Sequence, residues 1–173
     1  GESSHTGLPC IFIRLTFCNL RCSYCDTEYA FYEGQDMKIS EILKEIKKYP
    51  CNLVMVTGGE PLIQKKCIKL INTLLDENYK VMLETSGSLC LSDVPKKTIK
   101  IVDFKCPSSG MLKKNDWSIL SDIDKKDEIK FVIGDKDDYQ WSINMIQQHN
   151  LNKICTVLFS PVYNKITLDM LAR

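Results

Sequence analysis

With 173 residues, 44% hydrophobic and 26% charged, the chain is long enough to bury a core of its own and is expected to fold as a single domain over residues 1–173. Its net charge is +1 and its lysines come mostly as scattered pairs (Lys47-Lys48, Lys65-Lys66, Lys96-Lys97, Lys113-Lys114, Lys125-Lys126), a pattern of solvated surface that excludes a nucleic-acid stripe and favours a small-molecule substrate. No apolar run approaches the roughly 20 residues of a membrane span and no basic-then-apolar leader opens the chain, so a cytoplasmic protein with reduced thiols and no membrane partner is expected.

The chain starts at Gly1 without a methionine and stops at Leu171-Ala172-Arg173 in what reads as the opening of a helix, so truncation at both ends is expected. Between the ends, short apolar runs alternate with helical patterns, and no Gly/Ser/Pro-rich linker interrupts them. Strands are predicted over Cys10 to Leu15, Leu53 to Thr57, Val81 to Thr85, Ile101 to Asp103, Ile129 to Ile133 and Thr156 to Phe159. Ser40 to Lys48 carries Ile42, Leu43 and Ile46 on one face and reads as a helix behind a Ser40 cap. The run after Pro61 sets Ile63, Cys67, Leu70, Ile71 and Leu74 at helical spacing, and a third helix is predicted over Asp138 to His149. Strands alternating with helices predict an α/β fold with a mostly parallel sheet, whose ligands gather at the carboxyl ends of the strands.

The segment after the first strand carries the most specific signal. Cys18, Cys22 and Cys25 stand at the spacing C-x3-C-x2-C. Three thiolates are one short of a closed structural zinc site or of a four-cysteine cluster, which leaves one position open for chemistry. A zinc site completed by Cys10 or His5 is the alternative, although structural zinc usually recurs as paired C-x2-C or C/H units and no second pair is present. Nine scattered cysteines, an odd number, do not read as a disulfide framework, and Cys10, Cys51, Cys67, Cys90, Cys106 and Cys155 read as packing.

Further polar breaks follow the strands. Thr57-Gly58-Gly59-Glu60-Pro61 closes the second strand with two glycines, which mark a sharp turn or a close approach of backbone. Glu84-Thr85-Ser86-Gly87 abruptly follows Val81-Met82-Leu83. Lys105, in Asp103-Phe104-Lys105-Cys106-Pro107-Ser108-Ser109-Gly110, either pairs with a carboxylate or snorkels to the surface. Ser160-Pro161 ends the sixth strand and on its own reads as a turn.

Arg14, one of only three arginines among 23 basic residues, shares a strand face with Phe12 and Thr16, while Ile11, Ile13 and Leu15 take the other. A desolvated cation there requires an anion, either a carboxylate of the same sheet or a substrate.

The C-x3-C-x2-C loop resembles the signature of the radical S-adenosylmethionine (SAM) enzymes. That resemblance implies an incomplete, partly open (β/α)6 barrel in a short version with some helices missing. It also implies a 4Fe-4S cluster on Cys18, Cys22 and Cys25, whose remaining iron binds SAM for reductive cleavage to a 5'-deoxyadenosyl radical. Within that frame Thr57-Gly58-Gly59-Glu60-Pro61 is similar to the family's GGEP segment. Gly59 is then implied for the SAM amino group, Thr57 for substrate, Glu84 or Ser86 for the SAM ribose, and Lys105 and Ser160 for other parts of SAM.

Gly1-Glu2, Gly7-x-Pro9, Phe12-Ile13-Arg14-Leu15, the cysteine loop with Asp26-Thr27, TGGEP, ETSG and DFKCPSSG together resemble the branch of the superfamily that forms 7-carboxy-7-deazaguanine on the way to queuosine. This implies 6-carboxy-5,6,7,8-tetrahydropterin as substrate, hydrogen abstraction at C6, ring contraction with loss of ammonia, and SAM that is regenerated. It implies Mg2+ reached by Thr27, substrate contacts from Gly1, Glu2, Arg14 and Thr57, an electron donor such as flavodoxin, and a homodimer. Asp26 or Thr27 capping the next turn is the bland reading of the same residues. Two departures stand out: the familiar G-E-G start reads Gly1-Glu2-Ser3, and the family's carboxyl-terminal segment is absent after Arg173. An activating enzyme for a glycyl-radical protein shares the cysteine spacing, and a zinc-binding interaction module is the alternative of another class.

Overall fold

The computed structural model describes residues 3–172. They form six strands, β1 (Ile11–Leu15), β2 (Leu53–Gly58), β3 (Lys80–Thr85), β4 (Ile99–Phe104), β5 (Glu128–Ile133) and β6 (Thr156–Pro161), which follow one another in sequence order in an open sheet. Five α-helices accompany them: α1 (Ile39–Ile46), α2 (Cys67–Asp76), α3 (Lys136–His149), α4 (Leu151–Ile154) and α5 (Leu168–Ala172). All six predicted strands are present, most extended by a residue or two. The crossovers into β4 and β5 contain no α-helix, the second being made of 3-10 turns at Pro107–Ser109, Leu112–Lys114 and Trp117–Asp122. This is the short α/β pattern with missing helices.

The chain divides into two compact units, the first comprising residues up to 19 with 27–85 and 93–99, the second 20–26, 86–92 and 100 onward. In the first unit β1, β2 and β3 pair in parallel, with Arg14 beside Thr57 and Met55 beside Met82. Val54, Met55, Val56, Val81, Met82 and Leu83 are buried on both faces of these strands, the continuous apolar run that a covered parallel sheet requires. Helix α2 buries Cys67, Leu70, Ile71 and Leu74, the i, i+3, i+4, i+7 stripe of an amphipathic helix. It begins six residues after Pro61, because Pro61–Ile63 forms a separate 3-10 turn. The Ser40 cap is also corrected: α1 starts at Ile39, and the Glu41 carboxylate reaches back to accept from the Lys38 amide at 2.7 Å.

In the second unit β4, β5 and β6 pair in parallel, with Asp103 beside Lys130 and Val132 beside Ser160. One face of the strands is aromatic. Phe104 stacks on Trp117 at 4.2 Å between centroids, Trp117 stacks on His149 at 4.3 Å, and Phe131 meets Trp141 edge-on. Helix α3 starts two residues earlier than predicted because Asp135 caps it, accepting from the Asp138 amide at 2.8 Å. At the amino end of β4 a buried ion pair joins Lys100 to Asp127 at 2.8 Å, and Asp127 also accepts from the Lys100 and Asp124 amides. Those added hydrogen bonds are what makes burying a charge pair tolerable.

Candidate functional site

In the first unit the strand ends are organised by backbone. Beyond β1 the chain turns through Phe17 at φ 68°, and the Phe17 amide donates to the Ala30 carbonyl at 2.8 Å. The double glycine after β2 lies against this turn: the Gly59 amide donates to Leu15 at 3.1 Å and the Glu60 amide to Phe17 at 2.7 Å. A Cβ on Gly59 would come within 2.2 Å of the Phe17 carbonyl oxygen and 2.9 Å of the Cys18 Cβ. A Cβ on Gly58 would come within 2.2 Å of the Leu15 carbonyl oxygen. Only glycine fits either place, so the close approach of backbone read from the sequence is met.

Glu60 is fully buried, and one of its oxygens accepts from the Leu62 amide at 3.1 Å and the Thr85 hydroxyl at 2.9 Å. It joins the end of β2 to the end of β3. Sequence reading passed over it as part of a turn; a glutamate between two glycines and a proline was the available signal. Burial, and next the Glu60 carboxylate, push the nearby Cys67 thiol up to about 12.

Thr57 is buried, and its hydroxyl donates to the half-buried Glu84 carboxylate at 3.0 Å, coupling two residues that were read separately as substrate and SAM contacts. Arg14 donates to the Gly58 carbonyl at 3.1 Å and meets no carboxylate among the described residues. The internal salt bridge considered for it is therefore not formed. Its desolvation is not borne out either, because Arg14 is exposed on the first strand of the sheet. Thr27 stands before the 3-10 turn Glu28–Phe31 and its carbonyl accepts from the Ala30 amide, but its hydroxyl makes no capping bond.

In the second unit the strand ends are organised by side chains. Lys105 pairs with Asp103 at 2.7 Å, both side chains 13% exposed, so Lys105 is no snorkelling surface lysine. The backbone of Lys105 is clasped by Asn115, whose carbonyl oxygen accepts from the Lys105 amide at 2.8 Å and whose amide donates back at 2.9 Å. The second oxygen of Asp103 is buried without a hydrogen-bond partner among the described residues. Ser86 is buried with its hydroxyl 2.8 Å from that of Ser88. Ser160 lies inside β6, half-buried, and is not in a turn.

The part of the cysteine loop in this unit is held by residues that sequence reading did not single out. Ser23 donates through its amide to the Ser109 carbonyl at 3.0 Å and through its hydroxyl to the Ser108 carbonyl at 2.6 Å. Tyr24 donates to the Val132 carbonyl at 3.2 Å, and burial raises its hydroxyl pKa, with Cys106 the next cause. These partners lie 85 to 108 residues away along the chain, and no local pattern marks them.

None of the nine cysteines is joined in a disulfide. Cys67, Cys106 and Cys155 are buried as packing requires, but Cys90 is exposed beside Ser92, which corrects the packing reading for that residue. Cys18, Cys22 and Cys25 are half-buried on chain without helix or strand from 16 to 27. Among the described residues no three His, Cys, Asp or Glu side chains stand gathered as a metal site. The chemistry of the donors nonetheless fits a cluster with one open iron: three cysteine thiols outside any disulfide, and beside Cys18 the Gly59 backbone, which has no room for a side chain. The zinc alternative loses its fourth ligand, since His5 and Cys10 precede β1 while Cys18 follows it, about 16 Å of strand away. Gly1 and Glu2 lie outside the described residues.

Residues 12–103 match the Radical SAM superfamily. The chain is 48% identical to the 7-carboxy-7-deazaguanine synthase of Koribacter versatilis, over 95% of this chain and 74% of that protein. It is 37% identical to that of Chlorobaculum tepidum, over 99% and 80%, and 38% identical to that of Methanospirillum hungatei, over 94% and 68%. Among solved structures it resembles Streptococcus suis SuiB bound to S-adenosylmethionine, with a TM-score of 0.64, 19% identity, and coverage of 95% of this chain and 42% of SuiB. That last likeness bears on the fold alone.

Proposed function

The chain belongs to the radical SAM superfamily and, within it, to the 7-carboxy-7-deazaguanine synthases, and from that premise we propose that it converts 6-carboxy-5,6,7,8-tetrahydropterin to 7-carboxy-7-deazaguanine by ring contraction with loss of ammonia. A 4Fe-4S cluster and SAM, when bound, supply the 5'-deoxyadenosyl radical that such a reaction needs. The chain's own work is to hold and orient. Cys18, Cys22 and Cys25 hold the cluster. The Gly59 backbone receives the SAM amino group, while Glu84, Ser86, Lys105 and Ser160 hold the rest of SAM. Arg14 takes the substrate carboxylate, with Thr57 beside it in the register of β1 and β2.

The observation that carries this reading is the glycine turn. A backbone pressed to within 2.2 Å of where a Cβ would stand, at the residue before the first cysteine, is a design for main-chain contact rather than side-chain contact. Arg14 supports it from another side, being an exposed planar cation that donates to the Gly58 carbonyl and meets no carboxylate among the described residues. Thr27, two residues past Cys25, is the proposed protein ligand of Mg2+, an ion that usually keeps its waters and shares ligands with its substrate.

An electron donor of the flavodoxin kind, a cytoplasmic setting and a homodimer complete the proposal. Among the described residues no helix is long and apolar enough to cross a membrane. The test is anaerobic reconstitution followed by incubation with SAM, Mg2+, reductant and the carboxypterin. Formation of the deazaguanine with SAM undiminished is the expected result, and SAM consumption in its place would overturn the reading.

A further inference from the structure

Asp138, in the first turn of α3, is fully buried and meets no lysine or arginine among the described residues. The hydrogen bonds of its carboxylate go to two loops. One oxygen accepts from the Ser108 amide at 2.9 Å; the other accepts from the Ser108 hydroxyl at 2.5 Å and the Gly134 amide at 2.8 Å. The approach is tight: a Cβ on Gly134 would stand 2.6 Å from the Ser108 Oγ and 3.2 Å from the Asp138 Oδ2. A buried carboxyl is expensive, and one that is fully occupied with loop donors is there to fix those loops.

The first of these loops, and the end of β5 that runs into the second, receive the cysteine segment. Ser108 and Ser109 present their carbonyls to the Ser23 hydroxyl and amide, and Val132, two residues before Gly134, presents its carbonyl to the Tyr24 hydroxyl. Ser23 and Tyr24 are the two residues between Cys22 and Cys25. Every residue of this chain of bonds belongs to the second unit.

We propose that Asp138 is a positioning residue for the iron-sulfur cluster, acting through Ser108, Gly134 and the Ser23–Tyr24 pair to set where Cys22 and Cys25 present their thiolates. Helix initiation alone would need only Asp135, which already caps α3. The proposal rests on the proposed function in one respect, that Cys22 and Cys25 are cluster ligands. If Cys22→Ala keeps its full iron after reconstitution, it is that assignment which fails and not the link from Asp138.

The experiment compares reconstituted Asp138→Asn with Asp127→Asn, a change at an equally buried carboxyl of the same unit that makes no bond to the cysteine segment. The readouts are the rate of iron loss to a chelator, the electron paramagnetic resonance spectrum of the reduced cluster with and without SAM, and the melting temperature. Asp138→Asn is expected to release iron about tenfold faster and to show an altered spectrum, as loss of charge-assisted hydrogen bonds would dictate. Asp127→Asn is expected to lower the melting temperature with the parent spectrum retained. Equal iron release and equal spectra in the two variants would overturn the proposal and leave Asp138 a plain structural residue. Should Asp138→Asn fail to fold, Ser23→Ala decides, because Ser23 is exposed and loses only its 2.6 Å bond. Faster iron loss at an unchanged melting temperature supports the link, and parent-like iron retention refutes it.

Discussion

The two units solve the same problem by different means. In the first, the ends of β1 and β2 are brought together by main chain, with Gly58 and Gly59 allowing contacts that any side chain would block. In the second, the loops after β4 and β5 are joined by side chains, with Asp138 taking three donors and Asp103 holding Lys105. The first construction fails all at once when a methyl group is added. The second weakens bond by bond. The difference teaches where each unit tolerates change, and it can be tested over a descending range of effects.

The largest effect falls on the thiols themselves. Replacing Cys18, Cys22 or Cys25 by Ala should abolish iron binding and SAM cleavage, whereas Cys51→Ala and Cys155→Ala should retain both. Iron analysis after reconstitution checks this, and a cluster lost in Cys51→Ala with the fold intact would contradict it. Next comes Gly59→Ala, where the added methyl meets backbone rather than a flexible side chain. Overpacking of this kind costs about 1–3 kcal/mol, and SAM affinity should fall with it. If titration calorimetry finds SAM binding unchanged, the glycine serves only the turn.

Arg14→Lys should come third. It keeps the charge but loses the planar fork, so carboxypterin affinity should drop by roughly 1.5–3 kcal/mol while SAM affinity stays put. A variant that binds the pterin normally would return Arg14 to the surface. Thr27→Ala should be milder, leaving cluster and SAM binding intact and shifting only the Mg2+ dependence of turnover. An unaltered Mg2+ response would show that the hydroxyl is not a ligand.

The smallest effect concerns buried thiols. Burial pushes Cys67 and Cys106 up to about 12, so both stay protonated at pH 8, and alkylation there should mark exposed Cys90 and spare them. The raised values also fix a sign. The stability they contribute is complete below the unfolded thiol pKa near 8.5 and is lost as pH rises from there towards 12. Melting temperature should therefore fall through alkaline pH, and less steeply in Cys67→Val.

The sheet was legible because its strands are short apolar runs, and β2 to β5 are largely buried, as a covered parallel sheet requires. The cysteine loop and the glycine turn were legible because thiolate spacing and glycine are local constraints. What escaped was set at a distance. Ser40 reads as a cap until Glu41 is seen bonding the Lys38 amide, and the helix after Pro61 is delayed because Glu60 turns inward to Thr85. Ser23, Tyr24 and Asp138 carry no pattern at all, since their partners are fixed only once β4 and β5 lie side by side.

The stack of Phe104, Trp117 and His149 has a practical consequence. The chain has two tryptophans, Trp117 and Trp141, and both lie in the second unit. Intrinsic tryptophan emission is therefore an optical signal of that unit alone, to which the first unit contributes only tyrosine. Trp117 is moreover pressed face to face against the His149 imidazole at 4.3 Å, so its emission reports on the packing of α3 in that unit. Fluorescence followed against denaturant, set beside circular dichroism of the whole chain, would reveal whether the two units melt together or in turn.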